Sequence, residues 1–424
     1  MSDPTPAAPA DSAPAAGGGE PLRSVHTTSL PELLDRLGVS VLVSTYQAGK
    51  LIAVRAEAGR ANTHFRNFNT PMGLALAGGR LAVGTKTQVL QFQNQPDVAR
   101  KLPAAGKSQI PNPKSQTGNV GPGGGDVGFP RHDACFLPRS SHTTGNIGVH
   151  ELAFVGGQLW AVNTRFSCLC TFAPDCSFVP RWRPPFVSGL SPEDRCHLNA
   201  FGVRDGVVRY ATALGETDDP AGWRATKATG GVLMEIPNLK SQIPTAESGL
   251  EFGISSLGVT ISRGLSMPHS PRWYGGRLWV LESGAGSLSV VDEATGRLDH
   301  VALLPGFTRG LDFVGPYAFV GLSQVRETAV FSGIPITERL PVEDRACGLW
   351  VVDVRTGQTV AFLRFEAGVQ EVFAVQVLPG IRYPELLTAE DADAETEELL
   401  ANAFVLPDAA MADVQPIRSA ENPN

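Results

Sequence analysis

The sequence lacks long hydrophobic runs and clusters of basic residues, and each absence argues against a class of protein. No window approaches 18 uninterrupted apolar residues, so no transmembrane helix is expected. The chain has 35 Lys and Arg residues against 42 Asp and Glu residues, a net charge of −7, and no sustained basic run. Because nucleic acids and anionic membranes are bound through basic patches, we predict neither a nucleic-acid partner nor a membrane partner.

Cysteine is also scarce, and the spacing of the six cysteines does not match a metal site. Cys168 and Cys170 alternate along an apparent strand without a C-x-x-C pair, which favours buried thiols over a structural zinc. The first residues, "MSDPTPAAPADSAPAAGGGEPLRS", contain neither the basic nor the apolar region of a signal peptide. We therefore predict a disordered leader over residues 1–28 and a cytoplasmic protein, in which disulfides are disfavoured.

Glycine and proline, in contrast, are abundant, with 46 and 33 residues, which favours many short strands joined by turns. The stretch "GLSMPHSPRWYGGRLWVLESGAGSLSVVD", from Gly264 to Asp292, contains three such strands. Similar units begin at Pro71, Val149, His197 and Thr308. Repeated antiparallel meanders of this kind are typical of propeller blades.

The two ends of the repeat region supply a sixth blade. "VQEVFAVQVLPG", from Val369, resembles an inner strand without companions, and "VSVLVSTYQAGKLIAVRAEAG", from Val39, resembles outer strands without an inner one. We predict an all-β, six-bladed β-propeller over residues 29–387, closed by N- and C-terminal strands, with five or seven blades as alternatives. A short helix is predicted over 29–38, where Ser29 and Glu32 have capping-box spacing. A lid-like insertion is predicted over 95–147, and an acidic tail, partly helical or disordered, over 388–424.

Polar residues recur where the inner strands of the predicted blades begin. All inner strands of a propeller start at one face, which we call the strand-start face, so residues far apart in sequence meet there. The candidate ligands for one divalent metal ion are three imidazoles, those of His150, His197 and His269. The candidate catalytic groups are the carboxylates of Glu151 and Glu371, each as a ligand or a base. A polar pocket without metal and a purely structural role are the alternatives.

Basic residues predicted at the same face suggest an anionic ligand. Arginine binds carboxylate or phosphate through two parallel hydrogen bonds. The candidate ligand-binding residues are Arg165, Asn199, Arg224, Arg309 and Arg326. Alternatively, a neighbouring carboxylate neutralises each arginine. No G-x-S-x-G elbow and no phosphate-binding G-K-[ST] motif is present, which argues against those two kinds of site.

Several motifs together resemble a known family: "NTRFSCL", "PEDRCHLNAFG", "ALGETDDPAGWRATKATGG", "GLSMPHSPRW", "LPGFTRGLDF" and "FVGLSQVRE". The resemblance, from about Leu30 to Leu387, is to a bacterial family of conserved hypothetical proteins, a domain of unknown function. It implies a β-propeller and carries no established activity, substrate or cofactor. A more distant likeness to gluconolactonase-like hydrolases and streptogramin lyases is one of fold, because their ligand sets are not reproduced.

The sequence thus predicts a protein that binds a small anionic molecule at one end of a propeller channel. Whether it is an enzyme stays open at this point. In the enzymatic version it is a metal-dependent hydrolase or lyase. In the alternative it is a non-catalytic scaffold that docks a protein partner.

Overall fold

The computed structural model describes residues 22–102, 132–237, 254–325 and 332–388. Arg326, residues 1–21 of the predicted leader, residues 103–131 of the predicted insertion and residues 389–424 of the predicted tail lie outside the described residues. Six sheets of four or five strands are arranged in a ring.

The elements follow the ring in chain order. Strand β1 (Arg23–His26) and helix α1 (Ser29–Leu37) precede blade 1, which contains β2 (Val39–Thr45), β3 (Lys50–Glu57) and β4 (Arg60–Asn67). Blade 2 contains β5 (Leu74–Ala77), β6 (Arg80–Gly84), β7 (Gln88–Asn94) and β8 (Ala134–Thr143), with helix α2 (Pro96–Lys101) before β8. Blade 3 contains β9 (Val149–Val155), β10 (Gln158–Asn163), β11 (Cys168–Ala173) and β12 (Cys176–Trp182).

The second half of the ring repeats the same order. Blade 4 contains β13 (Leu198–Arg204), β14 (Val207–Ala213), β15 (Gly231–Glu235) and β16 (Val259–Leu265), with a 3-10 turn at Gly222–Ala225. Blade 5 contains β17 (Pro268–Tyr274), β18 (Arg277–Glu282), β19 (Ser287–Val291) and β20 (Leu298–Leu303). Blade 6 contains β21 (Phe307–Val314), β22 (Tyr317–Ser323), β23 (Gly348–Asp353) and β24 (Gln358–Ala367), with helix α3 (Pro335–Arg339) and a 3-10 turn at Val342–Asp344. Strands β25 (Ala374–Pro379) and β26 (Pro384–Leu386) follow.

The ring is closed by both ends of the described chain. Strand β25 pairs antiparallel with β2, from Val39 opposite Pro379 to Ser44 opposite Ala374, and so becomes the inner strand of blade 1. Strand β26 adds to β8 in parallel, and β1 pairs with β24 at the outer edge of blade 6. The six-bladed propeller closed by N- and C-terminal strands is therefore confirmed, and two outer edges that would otherwise be open are covered.

Three local details differ from the sequence prediction. The region predicted as a leader includes β1, because Arg23–His26 pairs with the free edge of β24. The region predicted as a lid includes β8, whose "ACFL" segment is buried as the outer strand of blade 2. Helix α1 has no side-chain cap: Ser29 Oγ donates instead to the Val360 carbonyl, 2.8 Å away, and ties the helix to blade 6.

Apolar side chains fill the spaces between neighbouring blades. Between blades 1 and 6, for example, Val41, Val43 and Ile52 share a cluster with Leu349 and Val351. Four cysteines belong to such layers, Cys168, Cys170, Cys196 and Cys347. All six cysteines are free, and five are buried. Burial raises the pKa of the Cys196 thiol to about 12. The prediction of buried thiols is confirmed.

Candidate functional site

A cavity of about 240 Å³ occupies the central channel, and the inner strands of all six blades line it. Five of the predicted site residues contribute to its wall: His150, Glu151, Asn199, His269 and Arg309. His197 and Glu371 do not line it, but they contact residues that do. Arg165 and Arg224 are exposed to solvent.

β-Bulges bring these side chains into the channel. In β9, Val149 lies opposite Asn163 and Leu152 opposite Ala161, so one residue of β10 faces two residues of β9. As a result the neighbours His150 and Glu151 both line the cavity, although side chains normally alternate between the faces of a strand. The same irregularity recurs at the equivalent place in three more inner strands, at Asn199, at Ser270–Pro271 and at Arg309–Gly310.

Backbone strain is concentrated on the strand-start face. Nine non-glycine residues among those described have a positive φ, and seven of them lie in the segments that form this face: Thr70, Ser167, Asp194, His197, Ala221, Met267 and Ser270. The other two are in hairpin turns on the opposite face. Such conformations cost about 1–3 kcal/mol each and tend to cluster at functional sites.

Hydrogen bonds fix the protonated nitrogen of His150 and His269. His269 Nδ1 lies 2.9 Å from the Met267 carbonyl oxygen, which only accepts, so Nδ1 carries the proton. Thr164 Oγ1 donates to the Leu198 carbonyl and therefore accepts from His150 Nδ1, 2.8 Å away. No described residue hydrogen-bonds to Nε2 of either ring.

Both imidazoles are neutral near pH 7. Burial lowers the pKa of His150 and of His269 well below the usual value, and the positive charge of Arg309 lowers both further. A neutral ring with its proton on Nδ1 has a lone pair on Nε2. The cavity wall therefore contains two hydrogen-bond acceptors for which the described chain provides no donor.

Arg309 is partly buried, with 12% of its side chain exposed, and it forms few hydrogen bonds. Its Nη1 donates to Glu371 Oε1 at 3.2 Å, and its guanidinium lies 3.5 Å from the centre of the Phe373 ring. A guanidinium has five N–H donors, yet the described residues accept only this one hydrogen bond from the Arg309 side chain. Burial lowers the pKa of Arg309 to about 10, and burial raises that of Glu371 against the opposing effect of the arginine.

A second ion pair crosses the channel, and its cation, Arg272, was not among the residues predicted from the sequence. Arg272 Nη2 donates to Glu151 Oε1 at 2.8 Å, while its Nε donates to the Leu311 carbonyl at 3.0 Å. Its Nη1 lies 3.4 Å from the Phe201 carbonyl, so Arg272 connects blade 5 with blades 3, 4 and 6. Burial raises the pKa of Glu151, and Arg272 opposes this shift. The geometry thus gives Glu151 an ion-pair partner, and its catalytic role stays a prediction.

Hydrogen bonds and ring contacts hold His197 at the end of the channel. Asp194 Oδ2 accepts from His197 Nδ1 at 2.9 Å and from Trp223 Nε1 at 3.1 Å. The His197 ring lies edge-on to His150, with 5.0 Å between the ring centres, and 4.4 Å from the Trp223 ring.

The side chain of Asn199 forms hydrogen bonds within the propeller wall. Its side chain donates to the Pro268 carbonyl at 2.9 Å and accepts from Thr212 at 2.7 Å. The bond to Pro268 joins blade 4 to blade 5, the bond from Thr212 lies within blade 4, and Asn199 is 2% exposed. The predicted ligand-binding role of Asn199 thus competes with a structural one.

The three histidines do not converge as a set of metal ligands. Within the described ranges, no group of three or more His, Cys, Asp and Glu residues has an arrangement that could hold a metal ion. His197 lies outside the cavity wall that His150 and His269 share. The donors that the sequence suggested for a divalent metal are therefore not assembled here.

The exposed arginines lie beyond the channel. Arg224 is 5.4 Å from the Trp223 ring centre, and the Arg165 carbonyl accepts from the Asp194 N–H. Neither guanidinium forms an ion pair with the part of the chain that the structure describes. The alternative in which a carboxylate neutralises each arginine applies to Arg309 but not to these two.

Comparison with known proteins places the chain in a family. Residues 28–121 and 126–387 match the family called "Domain of unknown function (DUF4915)". The chain belongs to this family. The resemblance to a conserved hypothetical propeller family is thereby confirmed, and the family's description assigns no activity.

The other comparisons add little. A chain in the crystal structure of a nidogen/laminin complex is 7% identical, with a TM-score of 0.46, over 81% of this chain and 99% of that chain. No curated protein matches. None of the described helices has the length and apolar character needed to span a bilayer.

Proposed function

We propose that this DUF4915 protein binds a small anionic molecule in the central channel, with Arg309 as the anchor. The observation that carries the proposal is the incomplete hydrogen bonding of the partly buried Arg309 guanidinium. Its other N–H donors have no acceptor among the described residues, and charge-assisted hydrogen bonds to an anion are roughly twice as strong as neutral ones. An anion in the cavity would supply the missing acceptors.

Arg272 provides an internal comparison. All three of its side-chain nitrogens donate to described acceptors, from the Glu151 carboxylate to the carbonyls of Leu311, Phe201 and Pro271. Arg309, in the same cavity, has one such bond. The two arginines have the same chemistry, so the difference marks Arg309 as the one with free binding capacity.

The size of the cavity restricts the ligand. At about 240 Å³ it is smaller than the roughly 300–1,000 Å³ of sites for drug-sized molecules. The ligand is therefore of the size of a small metabolite. The exposed Arg165 and Arg224 add positive potential near the same face, which would raise the local concentration of an anion.

Binding is proposed here without a catalytic step. Glu151 and Glu371, the candidate acids or bases, are each paired with an arginine, and the histidines are not arranged as metal ligands. Docking of a protein partner stays a prediction, which pull-down experiments address separately.

Isothermal titration with sulfate tests the proposal. We expect binding by the wild-type protein and at least a tenfold weaker affinity for Arg309→Gln, because charge-assisted hydrogen bonds to the anion are lost. Arg297→Gln is the matched control, since Arg297 is exposed just before β20 and its ion pair among the described residues is with Asp299. Equal sulfate affinities for the two variants would refute the anchoring role of Arg309.

A further inference from the structure

The cavity offers acceptors as well as donors. The donors belong to Arg309, and the acceptors are the Nε2 atoms of His150 and His269. Gly148 and Thr164 fix the proton of His150 on Nδ1, and Met267 and Ser283 fix that of His269. All three side chains line the same cavity. Sulfate, which has no proton to donate at neutral pH, would satisfy the arginine and leave both imidazole lone pairs without a donor.

We infer that the ligand is a small hydroxycarboxylate, whose carboxylate accepts from Arg309 and whose hydroxyl donates to Nε2 of His150 or His269. This inference rests on the proposed function, because it assigns the class of anion that the same site binds. A hydroxycarboxylate has a hydrogen-bond acceptor and a hydrogen-bond donor in one molecule. The site requires both, because it places a guanidinium donor beside two imidazole acceptors.

An ammonium group is a poorer donor for this site than a hydroxyl. The charge of Arg309 acts on both imidazoles and opposes a second positive charge there, which is why it lowers the pKa of each ring. The same repulsion acts on the ammonium group of an amino acid. A neutral hydroxyl provides the hydrogen bond without the charge.

The hydroxyl should contribute strongly to selectivity. A site built to hydrogen-bond a hydroxyl discriminates against an analogue that lacks it, because the buried polar groups of the site are then left unpaired. Propionate differs from lactate by this one hydroxyl, and alanine has an ammonium in its place. The three molecules are similar in size and share the carboxylate.

The test is isothermal titration of the full chain at pH 7.5 with L-lactate, D-lactate, propionate and L-alanine. We expect one lactate enantiomer to bind at least tenfold more tightly than propionate, and alanine to bind no better than propionate. Equal affinities for lactate and propionate would overturn the inference while leaving the proposed function intact. Tighter binding of alanine would overturn it as well.

If the wild-type protein binds none of these carboxylates and no sulfate, the proposed function itself is contradicted. The variants His150→Phe and His269→Phe locate the acceptor: one of them should reduce lactate affinity to the level of propionate while propionate affinity is unchanged. Propionate binding also shows that the variant is folded. The comparison in the wild-type protein stands without either variant.

Discussion

Replacement of Arg272 by methionine is expected to destabilise the propeller by roughly 3 kcal/mol, at the lower end of the range for breaking a buried ion pair. The substitution leaves the Glu151 carboxylate in the channel without its cation. It also removes the hydrogen bonds that link blade 5 to the carbonyls of blades 4 and 6. The measurement is unfolding in urea, monitored through the fluorescence of the tryptophan residues.

The double variant Glu151→Met/Arg272→Met distinguishes the contribution of the charges to stability from the contribution of side-chain packing. Replacing both charges by apolar groups of similar volume is often close to neutral. We therefore expect the double variant to regain most of the lost stability. A loss below about 1 kcal/mol for Arg272→Met alone, relative to the exposed control Arg297→Met, would show that the pair does not hold the blades together.

Replacement of Glu371 by glutamine is expected to increase sulfate affinity about a hundredfold at pH 7.5. Two like charges about 6 Å apart repel by roughly 3 kcal/mol at an effective dielectric constant near 20. In the wild-type protein, a sulfate bound to Arg309 would lie beside the Glu371 carboxylate. Glutamine keeps an acceptor for Arg309 and removes the charge.

The same repulsion makes sulfate binding depend on pH. Burial raises the pKa of Glu371, and a neighbouring anion raises it further. Protonated Glu371 no longer repels the anion, so affinity should rise as the pH falls from 8.5 to 5.5, a range in which sulfate keeps its charge. His150, His197, Arg309 and Cys347 also lie around these groups, and Glu371→Gln isolates the contribution of Glu371. A pH profile unchanged by this substitution would contradict the account.

The sequence was sufficient to predict the propeller, because the architecture is repeated. Each blade has the same order of apolar strand, glycine turn and second strand, and the incomplete units at Val39 and Val369 complement each other. The outer strand β8 was missed, since its apolar segment follows a long glycine- and proline-rich stretch. Strand β1 was missed because its four residues gain their pairing only from β24.

Repetition also explains why the sequence could place some candidate site residues together. Equivalent positions in the repeats identified His150, His269 and Arg309, which do share a cavity. Their roles depend on hydrogen bonds between blades, and the sequence does not show which partner each residue meets. Arg272 was missed because its partners lie on three other blades. The bulges that turn His150 and Glu151 into the channel leave no mark in the alternation of apolar residues.

The most direct test of the central claim, anion binding by Arg309, is to locate an anion in crystals of this protein. Selenate has the geometry of sulfate, and its selenium atom gives an anomalous signal. If Arg309 anchors the anion, a selenium peak lies in the central channel beside its guanidinium and is absent from Arg309→Gln crystals grown in the same way. Selenate bound only at exposed arginines such as Arg165 and Arg224, with none in the channel, would contradict it.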